Sequence, residues 1–205
     1  MLRKTARRGI MLVFAVTAFG GIADTAAAPQ RAPAATQIRV FRPYSTTGKL
    51  AGGLHVLKTL TGSCWEGSIV DTTRRDAWRC LAVNLIYDPC FQPPNTRKPR
   101  LLACSTAPWL SEVTMLRLSQ PLPYSQANRG SSPNEFAWAL VLRNGGHCVR
   151  FGGATGTIAG MGISYGCSNG NGLNEIHRNK QPWTIFFVKP GSKTPRQVAV
   201  SVAWY

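Results

Sequence analysis

The sequence is poor in the side chains that most catalytic sites use. Its 205 residues include eight Asp or Glu and three His. No spacing among the carboxylates singles out a pair of the kind that cleaves glycosidic bonds. A glycine-rich phosphate loop ending in Lys-Ser or Lys-Thr is missing as well, so nucleotide hydrolysis has no support. These absences disfavour an enzyme with a recognisable motif.

The sequence also lacks long helical patterns and metal-ligand spacings. It has no heptads and no internal repeat, and after residue 28 no apolar run approaches the roughly 20 residues of a membrane span. No Cys-x-x-Cys pair occurs, and the one histidine close to a cysteine is His147, beside Cys148. We therefore expect no metal, no cofactor and no transmembrane span in the mature chain.

Residues 1–28 have the pattern of a secretory signal peptide. Four basic residues precede an apolar stretch at residues 10–23, and small residues follow it. The apolar stretch is shorter than a membrane span and contains Thr17, Gly20 and Gly21, which disfavours the alternative of an anchor. The pattern predicts export of a soluble protein to the periplasm or the medium.

Six cysteines in an exported chain are typical of three disulfides. Six cysteines allow fifteen connectivities, so the sequence alone cannot fix the pairing. The simplest choice pairs neighbours and closes loops of under twenty residues, each worth about 3 kcal/mol in the chain-entropy model. Those pairs are Cys64 with Cys80, Cys90 with Cys104, and Cys148 with Cys167.

The mature chain is strongly basic. Without the signal peptide it keeps twenty Lys and Arg against seven Asp and Glu, a net charge near +13. The densest cluster is Arg97, Lys98 and Arg100, in a proline-rich loop over residues 92–100 that we expect to be exposed. Such charge attracts polyanions, although solubility alone is an alternative explanation.

Hydrophobic patterning predicts a β-rich domain over residues 52–205, preceded by a flexible Pro/Ala-rich tail at 29–51. Within the tail, residues 38–41 alternate and are compatible with an edge strand. Residues 53–60 suggest a strand or a helical turn. Asp76 is predicted to cap a short helix over residues 77–81. Strands are also expected at 64–70, 101–104 and 112–118.

The C-terminal third has the clearest strand patterns. Asn144-Gly145 predicts a hairpin with a type I′ turn, because that turn favours residues with positive φ. Residues 157–167 suggest a strand or hairpin, 168–172 a loop, and 183–188 and 197–204 further strands. The predicted fold is mainly β, a small antiparallel sandwich or barrel-like domain with a short helix and three disulfides.

Several short strings together carry a resemblance to a known group of proteins. Residues 52–205 resemble exported bacterial disulfide-rich domains that have no established activity. The strings are Gly-Ser-Cys-Trp at 62–65, Asp-Ala-Trp-Arg-Cys at 76–80, Tyr-Asp-Pro-Cys-Phe at 87–91, Gly-Ala-Thr-Gly at 153–156 and Tyr-Gly-Cys at 165–167. The resemblance supports the disulfide framework and implies no mechanism.

Two patterns point weakly to catalysis. Residues 162–166 match Gly-x-Ser-x-Gly, but a glycine-rich strand edge explains them better than a nucleophile elbow, which requires a strand, a turn and a helix. Glu175 and His177, beside Arg178 and Lys180, contain the base, acid and cations that a secreted ribonuclease would need. A solvated polar loop is the simpler interpretation of these residues.

Tryptophans are the remaining candidates for ligand contact. Trp109 and Trp183 each follow a proline, and of the six tryptophans they are the better candidates for exposure, although burial in the core is favoured for both. The main hypothesis is a basic envelope module that contacts an anionic polymer through Arg97, Lys98, Arg100, Arg178 and Lys180. Alternatives are a small hydrolase of polyanions or glycans, or an inhibitor or regulator of an envelope protein. Nucleic acid is a disfavoured partner.

Overall fold

A computed structural model describes residues 34–130 and 136–205. The predicted signal peptide lies outside the described residues. Within them the chain forms thirteen strands and one short 3-10 turn, with no helix long and apolar enough to cross a membrane. The strands are β1 Gln37–Arg39, β2 His55–Gly67, β3 Ala77–Ala82, β4 Leu85–Phe91, β5 Leu101–Cys104, β6 Glu112–Leu118, β7 Ala139–Leu142, β8 His147–Arg150, β9 Thr157–Ile158, β10 Met161–Cys167, β11 Gly170–His177, β12 Thr184–Val188 and β13 Arg196–Trp204.

Strands β2 to β6 close into a five-stranded barrel, here called the first barrel. Neighbouring strands are antiparallel, and a parallel pairing of β2 with β6 closes the ring. Its core is built around the fully buried side chains of Trp78, Leu102 and Leu116. Two disulfides lie in the same core and join adjacent strands.

The second barrel is a ring of six strands. Strands β7, β8, β10, β11, β12 and β13 pair in sequence around the ring, and antiparallel pairing of β13 with β7 closes it. Strand β1 adds to β13, and β9 adds to β10. Leu140, Tyr165 and Ile185 are completely buried inside. The barrel-like alternative among the predicted β folds is therefore confirmed.

An aromatic cluster joins the two barrels. The rings of Phe41, Phe91 and Trp138 lie with their centroids 5.3 to 5.8 Å apart. Polar contacts surround the cluster: Arg79 donates to the Gly152 carbonyl at 2.8 Å, and Arg150 donates to the Ile69 carbonyl at 3.2 Å. Each bond links one barrel to the other.

All three predicted disulfide pairs are confirmed. Cys64 bonds to Cys80, Cys90 to Cys104 and Cys148 to Cys167, and the described residues contain no free cysteine. In each case the two cysteines face each other on adjacent antiparallel strands. Pairing of neighbours in sequence thus follows from pairing of neighbouring strands.

The predicted short helix after Asp76 is wrong, because residues 77–82 form strand β3. Trp78, Cys80 and Ala82 point to the barrel interior with the two-residue period of a strand. The register that places Cys80 opposite Cys64 requires this extended conformation. Asp76 caps no helix and instead forms an ion pair with Arg74 at 2.5 Å.

The Pro/Ala-rich segment differs from the expectation of a flexible tail in its described part, residues 34–51. The first two residues of the predicted edge strand, 38 and 39, lie in β1, which pairs in parallel with β13 at the barrel edge. The Phe41 side chain is buried in the aromatic cluster, and Thr36 donates a buried hydrogen bond to the Val200 carbonyl. A few anchoring side chains therefore hold a segment whose composition suggests no core.

The Asn144-Gly145 turn departs from the predicted type I′ pattern, in which both central residues have positive φ. The Asn144-Gly145 hairpin between β7 and β8 is confirmed, but positive φ occurs at Gly145 and not at Asn144. Both residues of the β3–β4 turn, Val83 and Asn84, instead have positive φ, at 49° and 59°.

The predicted loop over 168–172 is shorter than expected, because β11 begins at Gly170. A Cβ atom there would lie 2.2 Å from the Val188 carbonyl oxygen, so glycine permits this close strand approach.

Candidate functional site

The predicted basic loop lines a cleft on the first barrel, here called the basic cleft. Pro99 is buried in the connection between β4 and β5, whereas the flanking Arg97, Lys98 and Arg100 are exposed. The rest of the lining is formed by residues 118–122, at and after the end of β6, and by Tyr124. The cleft has a volume of about 530 Å³. A buried proline between cations fixes the loop while leaving their charged groups in solvent.

Tyr124 gives the basic cleft a fixed aromatic wall. Its side chain is 47% exposed, and its ring stands edge-on against the buried ring of Trp78, with centroids 5.6 Å apart. The Tyr124 hydroxyl donates to the Arg97 carbonyl at 2.8 Å. Ring packing and this hydrogen bond together connect the barrel core to the basic loop.

The cations of the basic cleft have no acidic partners within the described parts of the chain. Four ion pairs are formed there, and they involve His55, Arg74 and Arg79 as the basic partners. Arg97, Lys98 and Arg100 take part in none of them. Three unpaired positive charges around one cleft favour an anionic ligand.

The other predicted binding residues lie elsewhere. Trp183 is only 8% exposed and packs in the core of the second barrel, where the Arg178 guanidinium lies 5.2 Å from its ring. A buried ring cannot stack on a ligand. Lys180 is exposed nearby. Trp109 is half-buried and stacks on His147, with centroids 4.9 Å apart. None of these four residues lines the basic cleft.

A second concave region, here called the polar pocket, opens on the second barrel. It has a volume of about 560 Å³ and brings together Arg150, Ser164, Glu175 and His177. Glu175 and His177 are two residues apart on β11, so both side chains reach the same face of the strand. These two residues are also close together in the sequence, and the structure adds Ser164 from the adjacent strand β10 and Arg150 from β8, the strand beyond it.

Arg150 is held firmly beside this pocket. Its guanidinium lies 3.6 Å from the centroid of the Phe136 ring. Burial lowers the pKa of Arg150, and the negative charges of Asp88 and Glu175 act in the opposite direction. Arg150 forms no ion pair with a carboxylate of the described residues. It is a half-buried cation that can bind an anionic group.

Ser164 lies within strand β10, inside the Gly-x-Ser-x-Gly match. The preceding and following residues continue the strand, so the strand–turn–helix geometry of a nucleophile elbow is not formed. Tyr165, the next residue, is completely buried, and its hydroxyl donates to the Ala137 carbonyl at 2.7 Å. The motif is therefore part of a barrel strand.

Two buried carboxylates occupy the junction of the barrels. The Ser68 hydroxyl donates to Asp88 at 2.5 Å and accepts the backbone N–H of Asp71 at 2.9 Å. Burial raises the pKa of both Asp71 and Asp88 to about 6, although hydrogen bonds oppose the shift. Arg79 lies 3.8 Å from Asp88. These groups support the junction and do not line either cleft described above.

Sequence reasoning missed Tyr124 and Arg150. Tyr124 directly follows Pro123, and a preceding proline is the signal that made Trp109 and Trp183 candidates for exposure, so the same signal could have found it. Arg150 gave no signal, because its position depends on contacts with Ile69 and Phe136. In the two described segments no group of three His, Cys, Asp or Glu side chains is arranged to hold a metal ion.

Comparisons with other proteins add no functional information. No protein-family model, curated protein or solved structure matches the chain.

Proposed function

We propose that this protein is an exported module that binds an anionic polymer of the cell envelope through the basic cleft. The proposal rests on one observation: Arg97, Lys98 and Arg100 surround a cleft with an exposed aromatic ring and form no ion pairs among the described residues. Arginine forks bind phosphate or carboxylate groups in bidentate geometry. Tyr124 offers an apolar surface to the polymer backbone beside them.

Three disulfides support the exported location, since such bonds form and persist in oxidising compartments. A location in the periplasm or medium would place the basic cleft near anionic lipids, lipopolysaccharide or wall polymers. A rigid, cross-linked double barrel also suits a binding role, because little chain entropy is lost when a preorganised site meets its ligand.

The direct test is cosedimentation of the purified, oxidised protein with isolated envelope fractions. We expect binding at low ionic strength that weakens as salt is added, because contacts between exposed charges are screened. Binding that does not change with salt would contradict the electrostatic basis of the proposal.

A second candidate function is hydrolysis of a polyanion or glycan. The observation that favours it is the polar pocket. Glu175 would remove a proton from the attacking water, His177 would protonate the leaving group, and Arg150 would hold the anionic group. The pocket is on the second barrel, so this activity is compatible with binding at the basic cleft.

A further inference from the structure

The basic cleft is the first of three pockets that adjoin one another. A second pocket, of about 470 Å³, shares Tyr124 with the basic cleft. A third pocket, of about 280 Å³, shares Asp76 and Gln92 with the second. Each pocket shares at least one lining residue with the next, so the three adjoin one another, and together they are here called the basic groove.

Exposed cations continue along the basic groove beyond the basic cleft. Arg75 and Arg129 line the second pocket, and Arg42 lines the third. The Arg75 guanidinium donates to the Arg129 carbonyl at 2.8 Å, which holds it along the groove wall. None of the three forms an ion pair with another described residue. The groove therefore presents six exposed positive charges that form no ion pair with any residue in 34–130 or 136–205.

Among the described residues that line the groove, the one acidic side chain, Asp76, is already neutralised. Asp76 forms a two-point contact with Arg74, with distances of 2.9 and 2.5 Å. Arg74 is in turn fixed by the Phe91 ring, 4.3 Å away, and by a hydrogen bond to the Phe41 carbonyl. Asp76 thus offers little repulsion to an anion that passes along the groove.

We infer that the basic groove binds a linear polyanion whose phosphodiester or carboxylate groups contact the cations from Arg97 to Arg42 in succession. This inference rests on the proposed function and specifies its ligand as an extended chain instead of one anionic group. Five of the six cations are arginines, whose planar forks suit both kinds of anion.

The aromatic content of the groove disfavours single-stranded nucleic acid. Binding of unpaired bases uses successive exposed rings on which the bases stack. Of the aromatic side chains that line the groove, Tyr124 is exposed and Tyr44 is half-buried. One exposed ring suits a polymer with a sugar, polyol or phosphate backbone and no bases.

The experiment measures affinity against ligand length by calorimetric titration of the purified, oxidised protein. Probes are sodium polyphosphates from tripolyphosphate to long chains, with oligogalacturonates of matched charge as the carboxylate arm. We expect affinity to rise with length until the chain fills the groove and then to level off. The arm that binds more tightly identifies phosphate or carboxylate as the preferred group.

Variants then locate the bound chain. Arg42→Ala and Arg129→Ala each remove an exposed cation that does not line the basic cleft, and each should weaken binding of long probes about two- to fivefold. Tripolyphosphate binding should be unchanged in both. Lys193→Ala removes an exposed cation outside the groove and should change neither affinity.

Failure of the further inference can be distinguished from failure of the proposed function. If Arg97→Ala weakens binding while affinity is independent of length and of Arg42 and Arg129, the inference is overturned and the proposed function stands. If Arg97→Ala has no effect on any probe, the proposed function itself fails. Circular dichroism spectra check that each variant has folded. We expect all of them to fold, because the substituted residues are exposed.

Discussion

The ring of Tyr124 stands at 87° to the ring of Trp78, with 5.6 Å between the centroids. Trp78 is completely buried in the first barrel, whereas Tyr124 is about half exposed in the basic groove. Trp78 thus belongs to the barrel core, and Tyr124, which packs against it, belongs to the candidate binding site. The position of the exposed ring is set by the packing of the barrel.

This contact predicts different effects for two substitutions of Tyr124. Tyr124→Phe keeps the ring against Trp78 and loses the hydrogen bond to the Arg97 carbonyl, so polyphosphate affinity should fall by no more than about threefold. Tyr124→Ala removes the ring surface and should lower affinity about five- to tenfold. Calorimetric titration measures both values. Equal affinities for the alanine variant and the wild type would show that the ring contributes nothing.

The disulfide of the second barrel should be a major source of stability. Replacing both Cys148 and Cys167 by alanine opens a bond between residues 19 apart in sequence, which we expect to lower the free energy of unfolding by about 3 kcal/mol. Urea denaturation followed by tryptophan fluorescence measures the change. A loss below about 1 kcal/mol would mean that the closed barrel restrains the chain without the bond.

The buried carboxylates predict a pH dependence of stability. The pKa values of Asp71 and Asp88 are raised to about 6 in the folded state, so the folded protein holds protons that the unfolded chain releases. Their contribution is therefore fully present below about pH 4 and is lost as the pH rises through about 6.

The substitution Asp71→Asn tests the direction in which stability changes with pH. Asparagine keeps an acceptor for the Thr73 hydroxyl and cannot ionise beside Asp76 and Asp88. Between pH 4 and 7 the wild type should lose stability relative to the variant, by on the order of 2 kcal/mol. Urea unfolding at intervals of pH gives the difference. A wild type that gains stability relative to the variant over this range would contradict the raised pKa.

Much of the fold was accessible from sequence because alternating strands and neighbouring cysteines are local signals. The strands at 101–104 and 112–118 and the Asn144-Gly145 hairpin follow from patterns a few residues long. Strand β3 was missed, because a helix cap at Asp76 is also a local signal and only the pairing of Cys80 with Cys64 decides between them.

The candidate site could be predicted from sequence less completely than the fold, because its residues come from distant parts of the chain. The charge cluster at Arg97, Lys98 and Arg100 is visible in sequence, but its aromatic wall comes from Tyr124, more than twenty residues later. Arg42 and Arg129 join it only through the fold, since they lie on separate connecting segments. A groove assembled from distant loops leaves no contiguous motif.

The polar pocket gives a prediction for the second candidate function. If it hydrolyses a polyanion or glycan, Glu175→Gln and His177→Ala should each lower the rate about a hundredfold or more. Glu112→Gln changes a carboxylate on the first barrel and serves as the control. Product release from polyphosphate and oligogalacturonate measures the rate. Full activity in both pocket variants would exclude this site.

The most direct test of the central claim compares two triple variants in binding to isolated envelope fractions at low and high salt. One removes Arg97, Lys98 and Arg100. The other removes Lys189, Lys193 and Arg196, which are exposed cations outside the basic groove. Our account predicts that the first variant loses the salt-sensitive binding of the wild type and that the second retains most of it. Equal loss in both would show that net charge alone governs binding, and retention by the first would contradict the assignment of the site.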